Sequence, residues 1–182
     1  VVAGPQTDWI PEERDALSRY IAHGGRALVL LDPSNQGVKV DDFAADIEQY
    51  GIKVGSDFVM EADPQHYKPS DDQETLQTYY GSNLSVHPIV DLKDGQWGVW
   101  LARSVIWHGT DGGGTVGRTL VEASTQSWAE TQFDYAPNER PVPDDDEIVG
   151  RVGLAALAEI TKPRQLVDDA PEDARGRIVV FG

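Results

Sequence analysis

Apolar and polar positions alternate in blocks along the first third of the chain, and the blocks predict alternating strands and helices. Residues 1–3 and 26–31 are short, continuous apolar runs, the pattern of strands that are covered on both faces. Between them, apolar residues recur at helical spacing from Pro11, which suits a first helical position, to a glycine cap at Gly24. A second amphipathic helix is predicted at 41–50.

Two further strand-like segments follow at 52–54 and 58–60. Strand, helix, strand, helix and strand at these spacings are typical of βαβ units with right-handed crossovers. The pattern predicts a three-layer α/β/α domain with a mostly parallel sheet. On the second helix, three apolar residues are expected to face inward: Phe43, Ile47 and Tyr50.

The second half of the chain is less regular. Strands are predicted at 99–107, 119–123 and 177–181 because these segments are apolar and rich in β-branched or aromatic residues. Residues 152–160 are ambiguous from the pattern alone. Their alanines suit a helix, whereas their length and the flanking Gly153 permit a strand.

Polar and glycine-rich stretches interrupt these elements at 63–83, 109–117 and 133–147, and we expect them to be irregular insertions. The glycine-rich stretch lacks the Lys-Ser/Thr of a phosphate-binding loop, so it is interpreted as a hairpin connection. The acidic run at 144–147 lacks the ligand spacing of an EF-hand, so it is interpreted as a solvated loop.

Charge and composition exclude several classes of function. The 182 residues include 31 Asp and Glu against 15 Lys and Arg, a formal net charge of -16, which repels nucleic-acid phosphates and anionic lipids. The absence of cysteine removes disulfides, thiolate metal sites and cysteine nucleophiles. The longest apolar runs, such as 27–31, are far shorter than the ~20 residues of a membrane helix.

Both termini resemble strands in mid-course. The chain starts at Val1 with no initiator methionine and stops after the apolar run 177–181. We therefore expect one α/β domain, spanning 1–182, that is excised from a longer membrane-associated chain.

Short motifs occur in a fixed order along nearly the whole sequence: Ala3-Gly4-Pro5, Tyr20 with Gly24-Gly25, Leu28-Val29-Leu30-Leu31-Asp32-Pro33, Tyr50-Gly51-Ile52-Lys53-Val54, His87-Pro88-Ile89, Ala102-Arg103-Ser104-Val105, Ser127-Trp128-Ala129-Glu130 and Arg177-Ile178-Val179-Val180-Phe181-Gly182. With these motifs the chain resembles the soluble domain of the auxiliary, non-ATPase component of gliding-motility-type ABC transport systems. The stretches at 63–83 and 109–117 have no counterpart in that pattern.

The resemblance implies a class I glutamine-amidotransferase-like (flavodoxin-like) α/β domain, related to a domain of intraflagellar transport proteins. It also implies a strand at 152–160. The parent chain is expected to carry transmembrane helices and to hold this domain at the extracytoplasmic (periplasmic) face of a bacterial inner membrane. The expected partners are the membrane components of an ABC transport system.

No residue is predicted to be catalytic. Amidotransferase chemistry needs an activated nucleophile on a tight turn, yet the chain has no cysteine and no Gly-x-Ser-x-Gly, and Ser104 and Ser124 fall in predicted strands. None of the histidines lies three or four residues from another: they are His23, His66, His87 and His108. We therefore expect a non-catalytic domain without a metal or cofactor.

The carboxyl ends of the first two strands are the predicted ligand site, because open α/β sheets bind ligands at that edge. The first helix connects these strands, so the segments that follow them are expected side by side: Gly4, Pro5 and Gln6 after the first, and Asp32 and Pro33 after the second. Two alternatives stay open. The edge binds a small ligand or acts in hydrolysis, or Asp32 only turns the chain before Pro33 while the domain docks a partner protein.

A tryptophan cluster in the second half is expected to serve core and sheet packing, with a sugar- or peptide-binding surface as the alternative. The cluster comprises Trp97, Trp100, Trp107 and Trp128. Polar neighbours place Trp128 in a predicted loop, held by packing, with Glu130 capping or salt-bridging another element. Trp128 and Glu130 are therefore also a possible contact surface.

Overall fold

The computed structural model describes residues 1–33, 40–63, 102–132, 134 and 141–182. In chain order its main elements are β1 (Val2–Ala3), α1 (Pro11–Ala22), β2 (Arg26–Leu30), α2 (Asp41–Glu48), β3 (Ile52–Val54), β4 (Phe58–Glu61), β5 (Val105–Trp107), β6 (Thr115–Glu122), β7 (Ser127–Glu130), β8 (Gly153–Ile160) and β9 (Arg177–Phe181). A 3-10 turn, Pro163–Gln165, lies between β8 and β9. The chain is a mixed α/β protein.

The central sheet has five strands in the order β1-β2-β9-β8-β6. The predictions that 1–3, 26–31, 152–160 and 177–181 are strands of one sheet are confirmed, and 152–160 is a strand rather than a helix. The prediction of a mostly parallel sheet is wrong. Of the four strand pairs that the structure describes in this sheet, β1–β2 and β2–β9 are parallel, whereas β9–β8 and β8–β6 are antiparallel.

The strands β3 and β4 do not extend the central sheet. Instead, β3 pairs antiparallel with β5, and β4 pairs antiparallel with β7, in two separate ladders. The physical reason is occupancy: β1 lies on one side of β2, and β9 pairs with every residue of β2 on the other side. A further strand therefore cannot pair directly with β2.

Side chains alternate between two cores on opposite faces of the sheet. In β9, Ile178 and Val180 belong to the first core, whereas Val179 and Phe181 pack against the second. Both helices contribute to the first core, together with residues of β3 and β5. The second core takes residues of β4 and β7 in addition to the sheet. Among the described residues, no helix contributes to the second core.

The two helices follow the sequence pattern closely. In α1, the first-turn Glu13 accepts a hydrogen bond from the Ile10 backbone N–H at 3.2 Å. The chain leaves this helix through Gly24 at φ 93°, the left-handed conformation that glycine adopts without strain. A Cβ on the next residue, Gly25, would overlap Tyr20, so the glycine pair lets the tyrosine ring lie on the backbone. Phe43 and Ile47 of α2 are buried as predicted, and so is Tyr50, which lies in the turn after this helix.

The glycine-rich stretch at 109–117 is not a hairpin connection. It separates β5 from β6, but β5 pairs with β3 and β6 pairs with β8. The adjacent strands also differ in extent from their predictions, since β6 starts at Thr115 and β5 covers only Val105–Trp107. The close approach of Gly117 to the Trp107 indole shows that the two strands cross face to face instead of pairing edge to edge.

Some predictions concern residues outside the described ranges: the insertion at 64–83, most of the loop at 133–140, His66, His87, Trp97 and Trp100. Within the described ranges, α1 and α2 both lack the length and continuous hydrophobicity that crossing a bilayer requires.

Helix α1 and the turn after α2 meet at a polar pair, and ionisation of its tyrosine links stability to pH. The Ser18 and Tyr50 hydroxyls are 3.2 Å apart, and Tyr50 is buried. Burial raises the pKa of the Tyr50 phenol above its ordinary value of 10.0, the Ser18 hydrogen bond lowers it, and the Asp46 charge raises it. The unfolded chain thus loses this proton first as the pH rises.

We expect Tyr50 to promote alkaline unfolding. Its stabilising contribution is fully present below pH 10.0 and is lost as the pH rises through the raised folded-state pKa. Tyr50→Phe removes the ionisation, so its alkaline unfolding midpoint should move to higher pH, while the lost hydrogen bond costs about 1 kcal/mol at neutral pH. Circular dichroism against pH measures this, with the exposed-phenol variant Tyr20→Phe as the control. A midpoint unchanged by Tyr50→Phe would contradict the prediction.

Candidate functional site

The carboxyl ends of three parallel strands meet at one edge of the central sheet, and we call this the carboxyl edge. Beyond the last ladder positions, the Gly4 N–H donates to the Leu30 carbonyl at 2.9 Å, and the Leu31 N–H donates to the Phe181 carbonyl at 2.9 Å. The segments after β1, β2 and β9 are therefore adjacent. This is the location at which open α/β sheets place their ligands.

Gly4 and Asp32 lie against each other at this edge, as the sequence predicted. A Cβ built on Gly4 would be 2.9 Å from Oδ2 of Asp32, so a side chain would crowd this carboxylate. Gly4 also has φ 54°, a backbone conformation that residues with a side chain rarely adopt. The Gln6 side-chain amide lies beside them and donates to the Gly4 carbonyl at 3.0 Å. Pro5 and Pro33 flank this group and are partly buried.

The Asp32 carboxylate is exposed and accepts no hydrogen bond from any residue that the structure describes. A turn or cap role for Asp32 would need its carboxylate to accept a backbone N–H. The backbone N–H groups that could fill this role follow Pro33 and lie outside the described ranges, so the turn alternative stays a prediction. The binding roles of Gly4, Pro5, Gln6, Asp32 and Pro33 remain predictions.

Arg103 lies beneath the carboxyl edge, and its importance was missed from the sequence. It is the largest fully buried side chain among the described residues, with 1% of its surface exposed. Its Nε donates to the Gly55 carbonyl at 2.6 Å, and its Nη1 reaches the Asp32 carbonyl at 3.4 Å. A Cβ on Gly182 would overlap the Arg103 backbone. Arg103 therefore joins the segments that follow β2, β3 and β9.

The electrostatic balance around Arg103 is unusual for a buried cation. Burial lowers the pKa of the guanidinium, while the charges of Asp57 and Asp41 act in the opposite direction. No carboxylate of the described residues lies within ion-pair distance of it. The planar fork of arginine suits such a position because it can serve separate carbonyls at once.

Asp57 and Ser104 form a tight pair next to Arg103. The Asp57 carboxylate accepts the Ser104 backbone N–H at 2.7 Å and the Ser104 hydroxyl at 2.6 Å. A Cβ on Gly55 would overlap both side chains, so only glycine fits this turn. Ser104 precedes β5 and does not lie within a strand, which corrects the sequence prediction.

A second buried acid–serine pair lies at the ends of β4 and β6. Glu61 accepts the Ser124 hydroxyl at 2.6 Å and the Ser124 backbone N–H at 3.2 Å. Ser124 follows the end of β6, so its predicted place within a strand is also wrong. The Ser127 hydroxyl donates to the backbone carbonyls of Ser124 and Gly150. Each of these hydroxyls is committed to an acceptor.

Trp128 and Glu130 belong to β7 rather than to a loop, which corrects the prediction from their polar neighbours. Trp128 is 7% exposed and Glu130 is 2% exposed, so neither offers an exposed contact surface. The Trp128 indole Nε1 donates to Glu130 Oε2 at 3.1 Å, and the Gln132 N–H donates to Glu130 Oε1 at 2.9 Å. Buried pairing with Met60 on β4 explains why polar neighbours did not produce a loop.

Among the described residues, no serine hydroxyl is hydrogen-bonded to a histidine. In the Ser-His type of nucleophilic catalysis, the serine hydroxyl donates to a histidine base that a third group orients. Here the hydroxyls of Ser104, Ser124 and Ser127 donate to carboxylates or carbonyls, and His23 and His108 lie on the exposed surface. In the described part of the chain, no group of His, Asp or Glu side chains has a metal-binding arrangement.

Comparisons with known proteins give a likeness in fold. No protein-family model matches the chain, and no curated protein matches it either. Among solved structures, the chain is similar to the mmIFT52 N-terminal domain, with a TM-score of 0.59 and 12% sequence identity. The likeness covers 99% of this chain but 63% of the mmIFT52 chain, so this chain spans less than two thirds of its length. At this identity, the likeness concerns the fold alone.

Proposed function

We propose that this chain is a non-catalytic accessory domain of an ABC-type transport system, which docks a partner protein or senses a ligand outside the cytoplasm. The transport assignment is supported by the ordered motifs that resemble the auxiliary component of gliding-motility-type systems. One structural observation carries the non-catalytic part. The buried serines and carboxylates are paired with one another, whereas Asp32 and Gln6 stay exposed at the carboxyl edge.

We further propose that the fold is a three-layer, glutamine-amidotransferase-like one. The parallel core β1-β2-β9 and the likeness to the mmIFT52 N-terminal domain support this proposal. Antiparallel β8 and β6 extend the parallel core on one side. In the proposed arrangement, α1 and α2 form one outer layer, because both contribute to the same core.

The motifs behind the resemblance have clear structural roles. Gly25 lies under Tyr20, Gly4 lies under Asp32, and Gly182 lies against Arg103. Glycine is needed at each contact because a Cβ would overlap or crowd its neighbour. These glycines shape the carboxyl edge and the end of the first helix. The motifs thus support a defined surface shape at this edge, which docking would require.

A first experiment tests whether the carboxyl edge is the functional surface. We expect Gln6→Ala and Asp32→Asn to leave the free energy of unfolding within about 0.5 kcal/mol of the wild type, because both side chains are exposed. In the full-length parent chain, both variants should impair transport. Denaturant unfolding and a transport assay in cells measure the two effects.

The matched control is Asp173→Asn, which removes an exposed carboxylate far along the chain from this edge. It should change neither stability nor transport. If Asp32→Asn lowers the free energy of unfolding by about 1 kcal/mol or more, as loss of a cap does, Asp32 turns the chain and the edge loses its best binding residue.

The second candidate function is a small-ligand-binding or hydrolytic domain that uses the carboxyl ends of the strands. It is favoured by the position of Ser104 and Asp57 beside Arg103, directly beneath that edge. We expect no glutamine, ester or peptide hydrolysis above a buffer control, since the Ser104 hydroxyl donates to a carboxylate that is a weak base. Hydrolysis that Ser104→Ala abolishes would establish the second function instead.

A further inference from the structure

The strand β6 forms an open edge of the central sheet. It is the last strand in the order β1-β2-β9-β8-β6, and among the described residues β8 is its only paired neighbour. At eight residues it is much longer than β1, the two-residue strand at the opposite edge. Long open edges are sites at which another extended segment can add to a sheet.

The outer backbone groups of β6 have no partner among the described residues. Apart from the β8 ladder, no backbone hydrogen bond joins Thr115–Thr119 to another element. In an antiparallel pair, alternate residues point their N–H and C=O groups away from the neighbour, so these groups face outward here. The ladder is regular from Thr115 to Thr119 and becomes irregular at Val121, which confines the usable edge to the first part of the strand.

Two exposed side chains near this edge, one apolar and one cationic, indicate which residues a bound segment would carry. Val116 is 53% exposed, and Arg118, two residues on, is exposed on the same face of the sheet. Arg118 makes no ion pair with any described residue. The nearby acids are already paired, since Glu122 lies 3.8 Å from Arg151 and Glu159 lies 2.6 Å from Arg177. Arg118 is thus available to an acidic group from outside.

We propose that the β6 edge binds an extended segment of a partner protein, which adds to the sheet as a further strand. The partner segment carries an acidic residue opposite Arg118 and an apolar residue opposite Val116, two positions apart. Outward N–H and C=O groups supply the affinity, and the two side chains supply the selectivity. This inference rests on the proposed docking function and adds a second contact surface to the carboxyl edge, which keeps its proposed role.

Charge favours a partner segment over a second copy of this chain. Two copies paired through 115–119 of β6 would give neither Arg118 an acidic residue opposite it, because this segment contains no Asp or Glu, and would also join two chains of net charge -16 each. A partner segment with a single acidic residue instead places that residue opposite Arg118, where the attraction is local. A partner strand also satisfies the outward backbone groups without the repulsion between whole domains.

Binding of synthetic peptides to the purified domain tests the proposal. The probe is a short, extended peptide of threonine and valine with one glutamate placed two residues from a valine. Fluorescence polarisation should detect binding, and amide hydrogen exchange should show new protection confined to β6. Lysine in place of the glutamate should weaken binding about fivefold or more, because it turns a cross-strand attraction into a repulsion. Methylation of alternate peptide nitrogens should abolish binding.

The matched protein variants are Arg118→Glu and Arg175→Glu, which reverse one exposed arginine each. Only Arg118→Glu should weaken binding of the glutamate peptide, and it should strengthen binding of the lysine peptide. Three results would overturn the proposal: no binding at about 1 mM peptide, protection outside β6, or a concentration-dependent dimer that Arg118→Glu dissociates. If the parent chain docks its partner while the amide hydrogen exchange of β6 stays unchanged, this inference is refuted and the proposed function is left intact.

Discussion

Replacing Arg103 by alanine is expected to lower the free energy of unfolding by about 3–5 kcal/mol. The change leaves the carbonyls of Gly55 and Asp32 without a donor and opens a cavity at a side chain that is 1% exposed. Each lost hydrogen bond costs about 0.5–1.5 kcal/mol, and the cavity adds to that cost. Denaturant unfolding of wild type and variant measures the difference.

Two further Arg103 variants separate the contributions. Arg103→Lys keeps the charge but loses the planar fork, so it should recover only part of the stability. Arg103→Met fills most of the volume and removes the cost of burying a cation. It also removes the donor to the Gly55 and Asp32 carbonyls. If Arg103→Met were as stable as the wild type, the guanidinium would not hold the turns at Gly55 and Asp32, and our description of the carboxyl edge would be incorrect.

Truncation of Trp128 to alanine is the other large expected effect, at about 3–5 kcal/mol. Trp128 is 7% exposed within β7, and its indole N–H donates to the buried Glu130 carboxylate. For a domain of this size the melting temperature should fall by about 10 °C. Calorimetry or thermal circular dichroism gives the value.

The control for Trp128 is phenylalanine, which keeps an aromatic ring but removes the indole donor. Trp128→Phe should lose less than Trp128→Ala because part of the packing remains. A melting temperature unchanged by Trp128→Ala would mean that the side chain is exposed, and the sequence-based alternative of a contact surface at Trp128 and Glu130 would return.

The strands and helices with clear local signals were predictable from the sequence. Helix α1 has Pro11 at its start and Gly24 after its end, and α2 has a regular apolar spacing. The partners of short strands were not predictable. The three residues of β3 do not indicate whether this strand pairs with β2 or with β5. The position beside β2 is taken by β9, which lies at the far end of the sequence.

The candidate site was predictable only in its local part. Gly4 and Asp32 end strands that α1 connects, so their contact follows from the βαβ connection. Arg103 was visible only as part of a motif, because its burial depends on Gly55 and Gly182, both distant in sequence. Trp128 was misplaced for a related reason: polar neighbours predict a loop unless a buried strand such as β4 pairs with them.

The most direct test of the central claim is site-specific photo-crosslinking in cells that express the full-length parent chain. A photoreactive residue replaces Gln6 at the carboxyl edge, and a control chain carries it at Arg175, another exposed position. If the domain docks a partner, the proposed function predicts adducts from position 6 to a membrane component of an ABC transport system. If the domain senses a ligand, these adducts should be lost when transport substrate is added. The proposed function predicts none from position 175. Adducts identical at both positions, or adducts from position 6 only to proteins unrelated to transport, would contradict it.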